Sequence, residues 1–404
     1  MSGDNSKEKL NKVKSGACVV MIGHKSIPSR QGGIEVVVDR LSTELVRRGY
    51  EVWAYNRSDK SNPDETDGGG SENAGSGTGK KALGIYNGVH LRVIPAPSKA
   101  GLNAFVYACL ATIRATVQGF DIYHFHAEGP CVMLWLPALF RKKSRIVVTI
   151  HGLDWQRAKW GMLASHIIHK GEKQAVKHAD EIIVLSENVK KYFKDTYGRE
   201  TVYIPNGTDR PKILPAQLIT GRYGLKGKDY ILFVARIVPE KGLHYLIKAY
   251  KAAGTDMKLV IAGGSGQADD YMQSIKQMIN DDERIIMTGF VEGQLLEELY
   301  SNAYVYVCPS DVEGMSLSLL EAASYGNCCL ISDIPENTEV MGDNCVKFKS
   351  GDVQDLTDKL KRLVSDAEAA SSLGVSTRED ICDRYSWDKM TDMTEKVYSK
   401  AKEK

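Results

Sequence analysis

No C-x-x-C pair occurs in this chain, although it holds eight cysteines in 404 residues. They are scattered, many of them in apolar runs such as those around Cys18, Cys308 and Cys328. They read as buried reduced thiols, not as a disulfide frame or a zinc site. No stretch reaches the ~20 apolar residues of a membrane-spanning helix. The nearest, Cys131 to Phe140, is too short and contains Pro137. The opening MSGDNSKEKLNKVKSG is polar and charged, so no signal peptide is expected there. No Asp-x-Asp stands at a strand-like end, which agrees with chemistry that needs no metal. A net charge of only +2 gives no sign of a nucleic-acid partner. A cytoplasmic chain is expected, with peripheral contact at the inner face of a membrane left open.

The composition is that of a globular chain, with 43% hydrophobic residues and length for two or three domains. Its charge is unevenly spread. From Met1 to Pro215 there are 31 Lys and Arg against 21 Asp and Glu, a net +10; the remainder has 22 against 30, a net −8. Basic clusters occur at Arg141, Lys142, Lys143 and Arg145, and at Lys190, Lys191 and Lys194. An anionic membrane surface or a phosphorylated acceptor would suit them, and so would plain solvated helix faces.

Short apolar runs alternate with helical stripes. Ala17–Ile22, Glu51–Tyr55, His90–Ile94, Ile122–Phe125 and Arg145–Thr149 read as buried parallel strands. Gly33–Arg48 has apolar residues at Ile34, Val37, Val38, Leu41, Leu45 and Val46, a helical stripe. The pattern restarts with strands at Tyr230–Val234, Lys258–Ala262, Arg284–Thr288, Tyr304–Cys308 and Cys328–Ser332, with helices such as Gly242–Ala253 and Leu295–Ala303 between. Such alternation predicts open parallel sheets covered on both faces. Residues 61–81 have no apolar side chain larger than alanine and read as a flexible insertion. Pro and Gly punctuate Pro211–Leu225, taken as a linker. The expected domains are 15–212 and 213–385, with a final helix at 386–404.

Several strand ends carry chemistry. Glu313 and Glu321 stand eight positions apart, the first in a strand-to-helix turn, the second in the helix that follows. The N–H groups of Gly314, Met315 and Ser316 are expected to open that helix and to seat a phosphate. Arg236 and Lys241 share the loop after Tyr230–Val234, where two cations can neutralise a diphosphate. Gly32 and Gly33 precede a helix and allow close backbone approach; their spacing is not the dinucleotide G-x-G-x-x-G. His151 and Asp154 follow another strand end. His124 and His126 share one strand face without a partner at metal-ligand spacing, so His126 is placed in an acceptor site rather than a metal site.

The stretch EGMSLSLLEAASYGNCCLISDIPENTEV (313–340) resembles retaining glycosyltransferases of family 4, with Asn327 where that family usually has proline. The resemblance implies a GT-B fold, two Rossmann-like α/β domains facing each other across a cleft, the last helix crossing back to the first domain. It implies that Glu313 and His151 lie by the donor sugar, Glu321 by the ribose, and Arg236 and Lys241 by the diphosphate. The base is implied near Val291, in Gly289-Phe-Val291. Ile204-Pro-Asn206-Gly207 resembles the motif before the family's hinge. Arg30, Glu35, His126 and Asp154 are the expected acceptor contacts. The implied substrate is a nucleotide-diphosphate sugar, with no cofactor, and a saccharide or lipid-linked saccharide as acceptor. The Gly-Gly loop and Glu motif most resemble bacterial rhamnosyltransferases of cell-surface polysaccharide assembly, making dTDP-rhamnose the first donor expected. A UDP-hexose donor, a sugar-nucleotide epimerase and a non-catalytic sugar-binding protein are the alternatives.

Overall fold

The computed structural model describes residues 16–58, 84–97, 102–156, 162–264 and 269–400. The insertion expected at 61–81 lies outside the described residues, as do Ser265, Gly266 and residues 401–404. The chain divides into two compact units. The first takes in Met1–Trp155, Trp160–Ile204 and Met390–Lys404; the second takes in Gln156–Lys159 and Pro205–Lys389.

In the first unit the strands are β1 (Cys18–Ile22), β2 (Glu51–Arg57), β3 (Gly84–Tyr86), β4 (Val89–Ile94), β5 (Ile122–His126), β6 (Arg145–Ile150), β7 (Glu181–Val184) and β8 (Val202–Tyr203). They stand in the order β3-β4-β2-β1-β5-β6-β7-β8, and only the β3–β4 pair is antiparallel. Parallel neighbours need crossovers, supplied by helices α1 (Gly33–Arg47), α2 (Leu102–Gln118), α3 (Trp135–Phe140), α4 (Met162–His178) and α5 (Glu187–Tyr197). All six residues of β6 and all five of β5 are buried, as covering on both faces requires. The stripe on α1 buries Val37, Val38, Leu41 and Leu45.

The second unit holds β9 (Tyr230–Val234), β10 (Lys258–Ala262), β11 (Ile285–Gly289), β12 (Val305–Cys308), β13 (Cys328–Ser332) and β14 (Val346–Phe348). The sheet is wholly parallel, in the order β11-β10-β9-β12-β13-β14. Its helices are α6 (Leu218–Tyr223), α7 (Leu243–Ala253), α8 (Asp269–Ile279), α9 (Gly293–Asn302), α10 (Leu317–Ser324), α11 (Pro335–Met341), α12 (Val353–Ser365) and α13 (Ala367–Arg384).

The stretch read as a linker contains α6. Buried Glu298 accepts the N–H groups of Gln217, Leu218 and Ile219 on one oxygen, at 2.9, 2.7 and 3.2 Å, and so closes the start of that helix. A last helix, α14 (Trp387–Ser399), belongs from Met390 onward to the first unit. There the Tyr398 hydroxyl shares a 2.7 Å hydrogen bond with His124 Nδ1, and Arg48 pairs with Glu395 at 2.6 Å and with Asp392.

The two basic clusters differ. Lys190, Lys191 and Lys194 pair with Glu187, Asp195 and Glu200 along the surface of α5. Arg145 is buried against Glu181 at 3.5 Å. Lys142 and Lys143 are exposed.

Candidate active site

Strand order reverses about β9, with β10 on one side and β12 on the other. In an open α/β sheet ligands bind at such a switch point, beyond the carboxyl ends of the strands. The loop after β9 carries Arg236 and Lys241; the loop after β12 carries Glu313. Gly242 brings the two together. Its φ is +67°, and a Cβ there would lie 1.9 Å from the carbonyl oxygen of Pro309, so only glycine fits. The Asp311 N–H donates to the Glu240 carbonyl at 2.9 Å and pins the loops a second time.

Glu313 is the hub of this pair of loops. Lys241 Nζ donates to Glu313 Oε1 at 2.5 Å, and Ser310 Oγ donates to the same oxygen at 2.7 Å. The Glu313 side chain is only 6% exposed and that of Lys241 18%, so the ion pair works in a poorly solvated setting. Arg236 is exposed, and no described residue is seen to pair with it. The cap of α10 is Ser316, whose Oγ accepts the Leu319 N–H at 3.3 Å. The helix therefore starts later than expected: Leu317 and Ser318 carry its opening N–H groups, while Gly314 and Met315 lie before the cap. Asn206 fastens this turn, donating from Nδ2 to the Met315 carbonyl at 3.2 Å.

Glu321 sits one turn into α10. It accepts the Tyr300 hydroxyl at 3.1 Å, and the Tyr300 ring stacks on Tyr325 with centroids 5.4 Å apart. Burial, then the neighbouring Glu321, hold the Tyr300 phenol well above its usual range, so it remains a donor. Asn327 is buried and donates to the carbonyls of Tyr300 at 2.9 Å and Ala322 at 3.1 Å. Proline offers no such donor, so the departure at this position ties α10 to α9. Val291 is half-buried two residues past Gly289, the last residue of β11.

In the first unit the order reverses about β1, between β2 and β5. A close approach marks this point too: a Cβ on Gly23 would lie 2.2 Å from the His126 carbonyl oxygen. Gly32 caps α1 in extended conformation without a side-chain bond. Arg30 is exposed. Glu35 is buried and folds back, accepting the Lys25 N–H on Oε1 at 2.9 Å. In this arrangement it staples the loop that precedes it. His24 shares a 3.0 Å hydrogen bond with Asn56 Oδ1.

Three histidines line up behind this loop. His124 and His126 stack at 4.3 Å, and His126 Nδ1 shares a 3.0 Å hydrogen bond with His151 Nε2. His124 Nε2 bonds Thr149 Oγ1 at 2.7 Å. Burial, then His151, lower the His124 pKa to about 3, and burial lowers His24 to about 4. Burial, then its histidine neighbours, hold His126 well below the usual value. His24, His124 and His126 are neutral at pH 7. Buried Glu128 accepts the Asp154 N–H at 3.2 Å; burial, then Asp154, raise its carboxyl well above the usual range. Among the described residues no group of three or more His, Cys, Asp or Glu is placed to hold a metal ion.

Sequence reading missed Ser310, Tyr300, Asn56 and Glu128. Tyr300 and Asn56 bond their partners only after folding brings separate segments together, whereas Ser310 stands three residues before Glu313 and was open to a local reading. Glu128, in a strand-to-helix loop between His126 and Pro130, carried a readable signal: a carboxylate next to a buried strand end.

Two family models match, and both describe glycosyltransferases. "Glycosyltransferase Family 4" spans residues 31–211 and "Glycosyl transferases group 1" spans residues 219–380. An uncharacterized glycosyltransferase of Methanocaldococcus jannaschii is 30% identical over 177 residues, which are 43% of this chain and 45% of that protein. The match is longer with the GDP-mannose-dependent alpha-(1-6)-phosphatidylinositol monomannoside mannosyltransferase of Mycolicibacterium smegmatis. It is 23% identical over 384 residues, covering 89% of this chain and 93% of that one. In fold, a sucrose-phosphate synthase of Thermosynechococcus elongatus superposes with a TM-score of 0.77 at 19% identity, over 95% of this chain and 98% of that one. Two doubly wound parallel sheets, matched in succession along the chain by the two models, place this protein in the GT-B glycosyltransferase superfamily of group 1 and family 4.

Proposed function

We propose that this chain transfers a hexosyl group, with retention and without a metal, from a nucleotide-diphosphate sugar to a lipid-linked saccharide. The observation that carries the reading is the pinned pair of loops at the β9 switch point, with Lys241, Glu313 and Ser310 in one bonded cluster beside the start of α10. Arg236, Lys241 and the opening amides of α10 would hold the diphosphate and take up its charge as it leaves. Glu321, steadied by Tyr300, would hold the ribose, and Val291 would lie by the base. Glu313 and His151 would position the sugar. Gly32 and Gly33 would let the α1 start approach the donor. Arg30 and Asp154 are the acceptor contacts proposed, while Glu35 would hold the loop at Lys25 and His126 would orient His151.

The bond from the anomeric carbon to the phosphate oxygen breaks, and a bond to the acceptor oxygen forms on the same face. The acceptor proton passes to the departing phosphate, so no protein nucleophile is required. The phosphatidylinositol-based acceptor in the mycobacterial relative's name supports a lipid-linked acceptor here. That relative's GDP-mannose and the dTDP-rhamnose suggested by the motifs are the first two donors to compare.

The test is ligand-induced thermal shift with GDP-mannose, dTDP-rhamnose, UDP-glucose and UDP-galactose, followed by transfer assays with the donor that binds. One donor should raise the melting temperature, and Glu321→Ala and Arg236→Ala should each abolish the shift. Product with inverted configuration would refute retention. Lack of a shift with every sugar nucleotide and free nucleotide would overturn the reading, and interconversion of a sugar nucleotide without acceptor would replace it with an epimerase.

A further inference from the structure

Helix α2 turns the wrong side outward. Apart from Tyr107 its inner face is small and partly polar, with Ala108, Ala111, Thr112, Ala115 and Thr116 buried. Its outer face carries Leu102, Leu110, Ile113 and Val117, all exposed, Val117 to 74%. At 100° per residue these four fall on one stripe. An ordinary surface helix does the reverse. The sequence of α2 contains a single charge, Arg114.

The neighbour continues the stripe. Helix α3 packs beside α2 and exposes Trp135, Leu139 and Phe140. Arg141 then reaches back, donating from Nε to the Thr116 carbonyl at 2.7 Å and from Nη2 to the Val117 carbonyl at 2.8 Å. That bond pair sets the exposed Lys142 and Lys143 at the end of the apolar face. Among the described residues fourteen large hydrophobics are exposed, and eight of them sit on α2 and α3. So dense a patch marks an interaction surface.

Charge decides the partner. On α2, on α3 and in the turn after α3 the charged residues are Arg114, Arg141, Lys142 and Lys143, all basic. A second copy meeting this face about a two-fold axis would set lysines against lysines. A layer of anionic headgroups over acyl chains satisfies both the rim and the stripe. No helix among the described residues is long and apolar enough to cross a membrane.

We propose that the α2–α3 face, rimmed by Lys142 and Lys143, docks on an anionic lipid bilayer with α2 lying flat in the interface. This surface stands independently of the sugar-transfer reading. The test is co-sedimentation of the full chain with phosphatidylcholine vesicles, with and without phosphatidylglycerol. The protein should partition onto the anionic vesicles and detach as salt is raised. The triple variant Ile113→Ser, Val117→Ser, Phe140→Ser should lower partitioning by about 100-fold. Lys142→Gln with Lys143→Gln should lower it by roughly 30-fold at low salt. Melting temperatures check that the variants fold, and Val117→Ser alone replaces the triple variant if that one melts early. Absence of binding to anionic vesicles, or equal binding by wild type and variants, would overturn the proposal. So would self-association in analytical ultracentrifugation that the apolar variants abolish, in a chain that ignores vesicles.

Discussion

Alanine substitutions at the two ends of α7 separate backbone strain from close approach. Gly242 precedes the helix at φ +67° and Gly254 follows it at φ +66°. The dihedral penalty for alanine is therefore nearly the same at both, about 1–2 kcal/mol. Their surroundings differ. A Cβ at Gly254 meets nothing within 4 Å, whereas one at Gly242 would lie 1.9 Å from the Pro309 oxygen and 2.8 Å from its carbon. That oxygen belongs to backbone just past β12 and cannot swing aside as a side chain would. The loops must part, which adds about 1–3 kcal/mol. Gly242→Ala should thus cost about 2–5 kcal/mol in urea unfolding, and Gly254→Ala about 1–2 kcal/mol. Parting the loops also pulls Lys241 from Glu313, so Gly242→Ala should lose the donor-induced thermal shift while Gly254→Ala keeps it. Equal destabilisation by the two substitutions, or full donor binding by Gly242→Ala, would refute the claim that this glycine sets the site.

Glu298 is another point of leverage. Burial opposes its charge, yet the N–H groups of Gln217, Ile219 and Leu218 and the Gln294 amide hold its pKa below the ordinary 4.5. Its contribution is complete above that value and is lost as pH falls through the folded pKa. Glu298→Gln should cost about 2 kcal/mol at pH 7, and the gap to wild type should shrink near pH 4; a gap that stays constant with pH would count against the cap. For His24 and His124 the folded values of about 4 and about 3 lie below the usual 6.5, so below pH 6.5 the unfolded chain binds protons that the folded one refuses. Stability should be complete above pH 6.5 and fall by up to about 3 kcal/mol per pH unit beneath it; an unchanged urea midpoint between pH 7.5 and pH 5.5 would contradict this. Tyr300→Phe keeps the ring on Tyr325 but removes the bond to Glu321, and should weaken donor binding about 10-fold with little change in melting temperature. Unaltered donor affinity would remove Tyr300 from the site.

What could be read in advance were the features set by local pattern. Buried parallel strands are continuous apolar runs, and β9, β10 and β13 fall where those runs do. Short β8 and β14 have no run of their own and depend on their neighbours in the sheet. The turn between β12 and α10 was visible from Pro309 and Gly314, but not where the helix begins, because Ser316 caps it through a side chain. Glu35 looked like a polar residue near a ligand loop; its burial follows from where the Lys25 amide comes to lie. Helix α6 is too short to announce itself and is held by Glu298, some eighty positions later. The histidine row could be suspected from alternation along β5, whereas its link to Tyr398 crosses 274 positions and leaves no local trace.

That last link has a consequence for synthesis on the ribosome. The first unit is not complete until residues from Met390 onward have been made, since Tyr398 covers His124 and Arg48 waits for Glu395. The entire second unit is translated in between, which at 5–20 residues per second takes about 10–40 s. For that interval the nascent first unit carries an unfilled seat beside β5 with a buried imidazole laid open to water. The second unit, contiguous from Pro205 to Lys389 apart from a four-residue piece, can close before the first does. A chaperone that recognises nascent chains would then meet the earlier-made half as the later one to finish.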